Sequence, residues 1–119
     1  LLPLTPETED IMRRDTLSQL QAGGYVINVA RGRHLVDEDL LALIDGGHLA
    51  GATLDVFRTE PLPAAHPFCL HPKITLTPHM SARTVHADSI SQIAGKISAL
   101  ERGVPVANLD GVVNFNQGY

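Results

Sequence analysis

The sequence has little of what marks membrane, secreted or disulfide-stabilised proteins. It contains no tryptophan, a single cysteine (Cys69) and no apolar run near the roughly 20 residues that a membrane-spanning helix needs. No segment has the order of charged, apolar and small residues of a secretory signal. A lone cysteine cannot form an internal disulfide, which fits a reducing compartment. We therefore expect a cytoplasmic protein that does not cross a membrane.

Positive charge and metal-ligand patterns are scarce as well. Nine Lys and Arg residues stand against 13 Asp and Glu residues, which gives a formal net charge of -4 and no basic footprint for nucleic acid or an anionic membrane. The six histidines show no metal-ligand spacing. Walker-type loops, CxxC pairs and serine-nucleophile elbows are also missing. We expect neither nucleic acid nor a metal ion as a partner.

What is present is an alternation of amphipathic and β-branched segments. With 119 residues, of which 44% are hydrophobic, the chain suits one compact domain. Polar caps, apolar spacing and terminal glycines predict three helices. These helices are a short one from Asp15-Thr16 to Gly23, a second one capped by Asp37 and ended by Gly46, and the longest from about Thr84 to Arg102.

Short apolar runs predict strands at 25–29, 52–56 and 74–77, and the prolines of residues 60–72 predict a loop. This order is typical of parallel βαβ units with right-handed crossovers and helices that cover the sheet. The chain starts at Leu1–Leu4 with the pattern of a buried strand that lacks its beginning. We therefore expect an α/β fold and a piece of a longer protein.

Residues with useful chemistry lie where the predicted strands end. Arg31 follows the first predicted strand, Asp55 lies at the end of the second, and His79 follows the third. Glu60 lies in the loop beyond Asp55, and residues 3–5 end the segment at the start of the chain. In open parallel sheets, ligands bind beyond the carboxyl ends of the strands. A guanidinium group, carboxylates and an imidazole are therefore predicted to converge at one edge.

Each of these side chains suits a distinct task. The guanidinium of Arg31 matches a ligand carboxylate unless it is simply solvated, and Gly32 would let the backbone bend closely around a ligand. His79 can give a proton to a carbonyl oxygen, or take it back, near neutral pH. Glu60 beside His79 would favour the charged form of the ring. Two interpretations of Asp55 remain open: a cap within a turn, or a carboxylate that faces a ligand.

Four segments resemble consecutive signatures of the D-isomer-specific 2-hydroxyacid dehydrogenases. The resemblance runs from Leu1 to about Arg102. The proline-rich loop and the ending Gln117-Gly118-Tyr119 are most similar to the glyoxylate/hydroxypyruvate reductase A branch of that family. The segments are Leu2–Thr8, Asn28–Gly32, Leu54–Phe57 with Glu60–Pro63, and Thr77–Ala82.

The resemblance implies hydride transfer between NAD(P)H and a small 2-keto or 2-hydroxy acid, with NADP favoured over NAD. It implies that Arg31 grips the substrate carboxylate, that His79 is the acid/base and that Glu60 tunes His79. It also implies a homodimer for the full-length protein. The implied cofactor contacts are Leu2, Pro3 and Thr8 on the adenosine side, Ala30 and Asp55 at the nicotinamide carboxamide, Ser81 and Ala82 in the turn over the nicotinamide, and Val29, Arg31 and His79.

The implied fold is the C-terminal half of a Rossmann-type parallel sheet with flanking helices, plus a long C-terminal helix. Residues 1–102 would be the C-terminal part of the NAD(P)-binding catalytic domain, and residues 103–119 a C-terminal tail. The G-x-G-x-x-G turn and the residue that separates NAD from NADP are absent, so we expect no measurable turnover from the isolated chain. The alternatives are a phosphoglycerate-type dehydrogenase, a corepressor-like module that senses dinucleotide without catalysis, and a piece that serves only folding or dimerisation.

Overall fold

Three parallel strands in the order β1-β2-β3 form the sheet. They are β1 (Gly24–Asn28), β2 (Leu49–Leu54) and β3 (Ile74–Leu76), as the apolar runs predict to within a few residues. The computed structural model describes residues 1–114, so the ending Gln117-Gly118-Tyr119 lies outside the described residues. The chain divides into two units, one of residues 1–81 and one that begins at Ala82.

In the first unit, the core lies between the sheet, the helix that follows β1 and the segments that pack beside them. Helix α1 (Arg14–Leu17) is a single turn, and α2 (Asp37–Asp45) connects β1 to β2. In the sheet, Val26 pairs with Ala52, which pairs in turn with Ile74. Short 3-10 helices occupy Gly32–His34 and Pro67–Leu70. The core cluster consists of Leu17, Val26, Leu35, Leu40, Leu43, Ile44, Leu49, Ala52, Leu54 and Phe68.

The early start of β2 has a local cause. The strand begins three residues before the predicted start at residue 52, and it includes Gly51. A Cβ atom on Gly51 would lie 2.4 Å from the carbonyl oxygen of Lys73. Glycine is therefore needed there because the strand passes so close to the backbone that leads into β3.

The prediction of a strand end at Leu1–Leu4 is wrong. These residues form no strand, and Leu1 is 94% exposed. The Thr8 hydroxyl donates to the Pro3 carbonyl at 2.7 Å, and the Thr8 and Glu9 N–H groups donate to the Thr5 carbonyl. Local hydrogen bonds of this kind fold the segment into turns, which compete with an extended strand.

The first two helices differ from the prediction at their ends. Helix α1 starts after Arg13, whose N–H donates to the Thr16 hydroxyl at 3.0 Å, so Asp15 lies inside the helix and does not cap it. The helix stops at Leu17, whereas the predicted helix continues to Gly23. Asp37 is the first helical residue of α2, and its cap is Val36. The acidic side chain of Asp37 still suits a helix N-terminus through the helix dipole.

The second unit contains helix α3 (His86–Glu101) and a 3-10 turn at Val106–Asn108. The predicted helix from about Thr84 to Arg102 is confirmed to within two residues at either end. The predicted tail, residues 103–119, is described as far as Asn114. Among the described residues, no helix has the length and apolar character needed to cross a membrane.

Candidate active site

The predicted convergence of strand-end residues is confirmed within the first unit. Arg31, Glu60 and His79 line one pocket of about 260 Å³. They come from the segments that follow β1, β2 and β3, respectively. The other lining residues are Leu4, Gly32, Arg33, Phe57 and Arg58.

The histidine and the glutamate form the central pair of the pocket. His79 Nδ1 lies 2.8 Å from Glu60 Oε2, and the other carboxylate oxygen accepts the Phe57 N–H at 2.9 Å. The hydrogen bond with His79, followed by that of Phe57, lowers the pKa of Glu60 below its ordinary value. An ionised carboxylate only accepts hydrogen bonds, so Nδ1 of His79 carries a proton. Nε2 is therefore the ring atom that can exchange a proton with a ligand.

Asp55 holds the turn that presents His79. Its carbonyl accepts the His79 N–H at 2.8 Å, and its carboxylate accepts the N–H groups of Met80 and Ser81, both at 2.9 Å, and the Thr77 hydroxyl. The residue is fully buried. Burial opposes ionisation, but the hydrogen bonds from Ser81, Thr77 and Met80 outweigh it and hold the pKa of Asp55 well below its ordinary value. Of its two possible roles, the turn cap is the one that the structure shows.

Arg31 is presented by a short backbone segment that two neighbours fix. Asn28 is buried at the end of β1, where its side chain donates to the Arg31 carbonyl at 3.0 Å and accepts the Ala30 N–H at 3.1 Å. A Cβ atom on Gly32 would overlap the backbone of Phe57, 1.9 Å from its carbonyl carbon. Glycine is therefore needed at position 32 because of the close approach to the protein's own backbone, and its expected role beside a ligand stays a prediction.

Three arginines line the pocket, and two of them are already paired. Arg33 donates to Glu9 through Nε at 3.0 Å and Nη2 at 2.6 Å. Arg58 forms an ion pair with Asp10, with Nη1 at 3.0 Å from Oδ1. Among the described residues, the guanidinium of Arg31 makes no ion pair and donates only to the Ala30 carbonyl, at 2.7 Å. Within the part of the chain that the structure describes, the pocket therefore offers the unpaired guanidinium of Arg31 to an anionic ligand.

The sequence interpretation missed the residues that hold Arg31 in place. A buried amide such as Asn28 at the end of an apolar strand was a usable signal, because a polar side chain there must find partners. The acidic partners of Arg33 and Arg58 gave no usable signal, since they lie 24 and 48 residues away along the chain.

The predicted cofactor residues occupy several places. Leu2, Val29 and Ala30 line a second pocket of about 320 Å³ beside the end of β1. Its apolar side chains and strand-end backbone fit the flat surface of a nicotinamide or adenine ring. Pro3 and Thr8 bond to one another, and Ser81 belongs to the Asp55 turn cap. The remaining predicted contact, Ala82, begins the second unit. All of these cofactor contacts stay predictions.

The chain is similar in sequence to one family of known proteins. The family model of the D-isomer specific 2-hydroxyacid dehydrogenase NAD binding domain matches residues 1–81. The chain is 52% identical over 119 residues to a glyoxylate/hydroxypyruvate reductase A of Serratia proteamaculans. The matched region covers 100% of this chain and 37% of that protein. A reductase of the same name from Yersinia enterocolitica is 48% identical with the same coverage. The chain thus spans little more than a third of the length of these relatives.

Solved structures give the same picture. An NADPH-dependent glyoxylate/hydroxypyruvate reductase from Sinorhizobium meliloti, in complex with NADP and sulfate, is 36% identical with a TM-score of 0.89, covering 100% of this chain and 38% of that one. A D-isomer specific 2-hydroxyacid dehydrogenase from Xanthobacter autotrophicus, in complex with NADPH and MES, is 39% identical with a TM-score of 0.88. This match covers 100% of this chain and 48% of that one. The resemblance drawn from four sequence segments and the Rossmann-type fold are confirmed.

Proposed function

The chain belongs to the D-isomer-specific 2-hydroxyacid dehydrogenase family, and from that premise we propose that it supplies the catalytic edge of an NAD(P)H-dependent 2-keto acid reductase. The family implies a small hydroxy or keto acid as substrate. The observation that carries the proposal is the His79–Glu60 pair at 2.8 Å in a pocket that Arg31 also lines. The names of the curated relatives support glyoxylate or hydroxypyruvate as the substrate, and the NADP-bound neighbours support NADP over NAD.

The proposed reaction assigns one task to each of the three side chains. Arg31 binds the substrate carboxylate through paired N–H donors and so orients the keto group. His79 gives the proton on Nε2 to the oxygen that becomes the alcohol, while Glu60 stabilises the positive charge of the ring from Nδ1. Arg31 and charged His79 together stabilise negative charge on that oxygen in the transition state. A bound nicotinamide supplies the hydride.

The proposal extends to the cofactor contacts and to the whole protein. Asp55, whose carboxylate holds the turn that presents His79, is the residue that the family resemblance implies for the nicotinamide carboxamide. We propose residues 1–102 as the C-terminal part of the NAD(P)-binding catalytic domain and 103–119 as a tail. The complete protein would be a longer, cytoplasmic homodimer. The proposed contacts are Leu2, Pro3, Thr8, Val29, Ala30, Arg31, Asp55, His79, Ser81 and Ala82.

The test is steady-state reduction by the complete polypeptide, followed by the loss of NADPH absorbance with glyoxylate or hydroxypyruvate. His79→Ala should lower kcat about 100- to 10,000-fold, as expected for loss of a general acid. Arg31→Ala should mainly raise the substrate KM. His86→Ala, at the exposed start of α3, is the matched control and should keep normal turnover. Normal turnover of His79→Ala would remove the acid/base assignment.

The same assay separates the alternatives. A strong preference for a phosphorylated keto acid would favour the phosphoglycerate-type dehydrogenase. Binding of dinucleotide without oxidation by any keto acid would favour the corepressor-like module. The isolated 119-residue chain should show no turnover, because it lacks the G-x-G-x-x-G turn. Glyoxylate reduction by the isolated chain would contradict that expectation.

A further inference from the structure

The loop between β2 and β3 contains one arrangement twice. In His66-Pro67-Phe68 and in His71-Pro72-Lys73, Nδ1 of the histidine accepts the N–H of the residue two positions later, at 3.3 and 3.2 Å. In both cases Nε2 of the ring faces a carboxylate. The distance is 3.4 Å from His66 to Asp37 and 3.0 Å from His71 to Asp45.

The two carboxylates lie at opposite ends of α2. Asp37 is the first residue of that helix and Asp45 is the last. The histidine side chains are only 22% and 13% exposed, for His66 and His71, respectively. Between them, Phe68 is buried in the core. The loop is therefore joined to both ends of one helix, by one histidine at each end.

The hydrogen-bond pattern fixes the protonation of both rings. Because Nδ1 accepts a backbone N–H, that nitrogen carries no proton while the bond exists, and the proton of a neutral ring lies on Nε2. The neutral form thus satisfies the backbone donor and the carboxylate at once. The charged groups around the His66–Asp37 contact are Asp37, Glu38 and Arg58. Burial raises the pKa of Asp37, and His66 and Arg58 partly offset this effect. Asp45 is the charged group that faces His71.

These contacts lie between the two halves of the catalytic pair. The His66 N–H donates to the Pro63 carbonyl at 2.9 Å, which fixes the part of the loop that follows Glu60. The Ile74 N–H donates to the His71 carbonyl at 3.1 Å, at the start of the strand that leads to His79. One histidine therefore steadies the segment that bears Glu60, and the other steadies the strand that bears His79.

We propose that His66 and His71 are paired positioning residues, which clamp the β2–β3 loop to both ends of α2 as neutral rings and so hold Glu60 against His79. We call the two contacts the histidine clamp. Its effect on catalysis rests on the proposed reductase function, whereas the protonation of the two rings does not.

The catalytic test uses His66→Asn and His71→Asn, singly and together, in the complete polypeptide. Asparagine keeps an oxygen that can accept the N–H two residues later, as in an Asx turn, but it is too short to reach the helix carboxylates. The double variant should lower kcat between about 3-fold and about 100-fold, since a displacement of ~1 Å can cost about 100-fold. The substrate KM should stay within about 2-fold, because Arg31 is untouched.

The pH profile distinguishes positioning from a purely structural role. Loss of the Glu60 contact makes the charged ring of His79 less favourable, so the alkaline limb of kcat/KM should move to lower pH in the double variant. His86→Asn is the matched control and should leave the limb in place. In a Glu60→Gln background the clamp variants should no longer move the limb. A lower melting temperature with unchanged kcat and an unchanged limb would overturn the proposal.

Ring protonation gives an independent readout. Long-range nitrogen–proton correlation spectra of the complete polypeptide should show His66 and His71 as neutral rings with the proton on Nε2 near neutral pH. A proton on Nδ1 in either ring would contradict the clamp. If the polypeptide reduces no keto acid, the proposed function fails, and these spectra still decide whether the clamp exists.

Discussion

Two helices of the molecule carry the same kind of apolar stripe and use it differently. In α2, Leu40 and Ile44 are fully buried under the sheet. In α3, Ile93 is 58% exposed and Ile97 is 52% exposed, although the two lie four residues apart and so share one face of the helix. The helix pattern reports which face is apolar, but it does not report what covers that face. A stripe is explained only when the surface that packs against it is also known.

The difference follows from the position of each helix in the chain. Helix α2 connects two neighbouring parallel strands, so the geometry of the crossover lays it on the sheet. Helix α3 follows the last strand of the sheet and leads to no further strand among the described residues. The candidate site and the histidine clamp both lie in the first unit. We therefore expect a substitution of a buried apolar residue in α2 to lower the unfolding free energy more than the matching substitution in α3.

The largest expected effect compares Leu40→Ala with Ile93→Ala. Removing the buried Leu40 side chain should cost about 2–5 kcal/mol of unfolding free energy. Ile93→Ala should stay within about 0.5 kcal/mol, because the side chain is largely exposed. Urea unfolding of the 119-residue chain, followed by circular dichroism, measures both. Equal costs would break the comparison, and a larger cost of Ile93→Ala in the complete polypeptide would show that another segment covers α3.

The next effect uses two glycines of opposite surroundings. Gly32→Ala should cost about 1–3 kcal/mol or more, because the added Cβ overlaps the Phe57 backbone. Gly95→Ala should gain about 0.5–1 kcal/mol, because Gly95 lies inside α3 and nothing lies within 4 Å of an added Cβ. The same unfolding measurement applies. A loss of stability in Gly95→Ala would mean that its helix face is already packed.

A smaller effect tests the turn that presents His79. Thr77→Val removes the hydroxyl that donates to the buried carboxylate of Asp55, and it should lower the midpoint of thermal unfolding by several degrees. Thr75→Val makes the same replacement at the exposed middle position of β3, two residues earlier, and serves as the control. A midpoint that falls equally in both variants would show that the Asp55 contact is not the cause.

The smallest effect is the pH dependence of Glu60. Its pKa is lower in the folded chain than its ordinary value of 4.5, so its contribution to stability is present above that value. The contribution is lost as the pH falls through the lowered folded pKa. Glu60→Gln should therefore lower the unfolding free energy by less than about 1 kcal/mol near neutral pH, because the side chain is 37% exposed and screened by solvent. In acid the loss should be smaller still. A larger loss of unfolding free energy in acid than at neutral pH would contradict the expected direction.

Much of the site could be predicted because it depends on local pattern and on sheet geometry. Short apolar runs located the three strands, and parallel pairing brought Arg31, Glu60 and His79 to one edge whatever the details of the loops. The histidine–glutamate contact also followed, since both residues come after neighbouring strands. These predictions needed only the direction of the strands.

The rest depended on contacts between distant segments. The acid partners of Arg33 and Arg58 are Glu9 and Asp10, which lie where the sequence predicts neither a strand nor a helix. The reason for Gly32 became visible only when the Phe57 backbone was seen against it. The histidine clamp was likewise hidden, because the partners of His66 and His71 lie on α2, far away along the chain. None of these contacts leaves a periodic signal.

The backbone of His79 has a consequence for how this protein can evolve. Its φ of +50° lies in the left-handed region, where glycine is at ease and a side chain with a Cβ costs about 1 kcal/mol or more. The Asp55 contacts to the flanking residues hold the turn in that conformation. Selection for stability alone would favour glycine at position 79, whereas the proposed proton transfer requires an imidazole there. Under the proposed function, His79 is a compromise in which some folding stability is given up for reactivity.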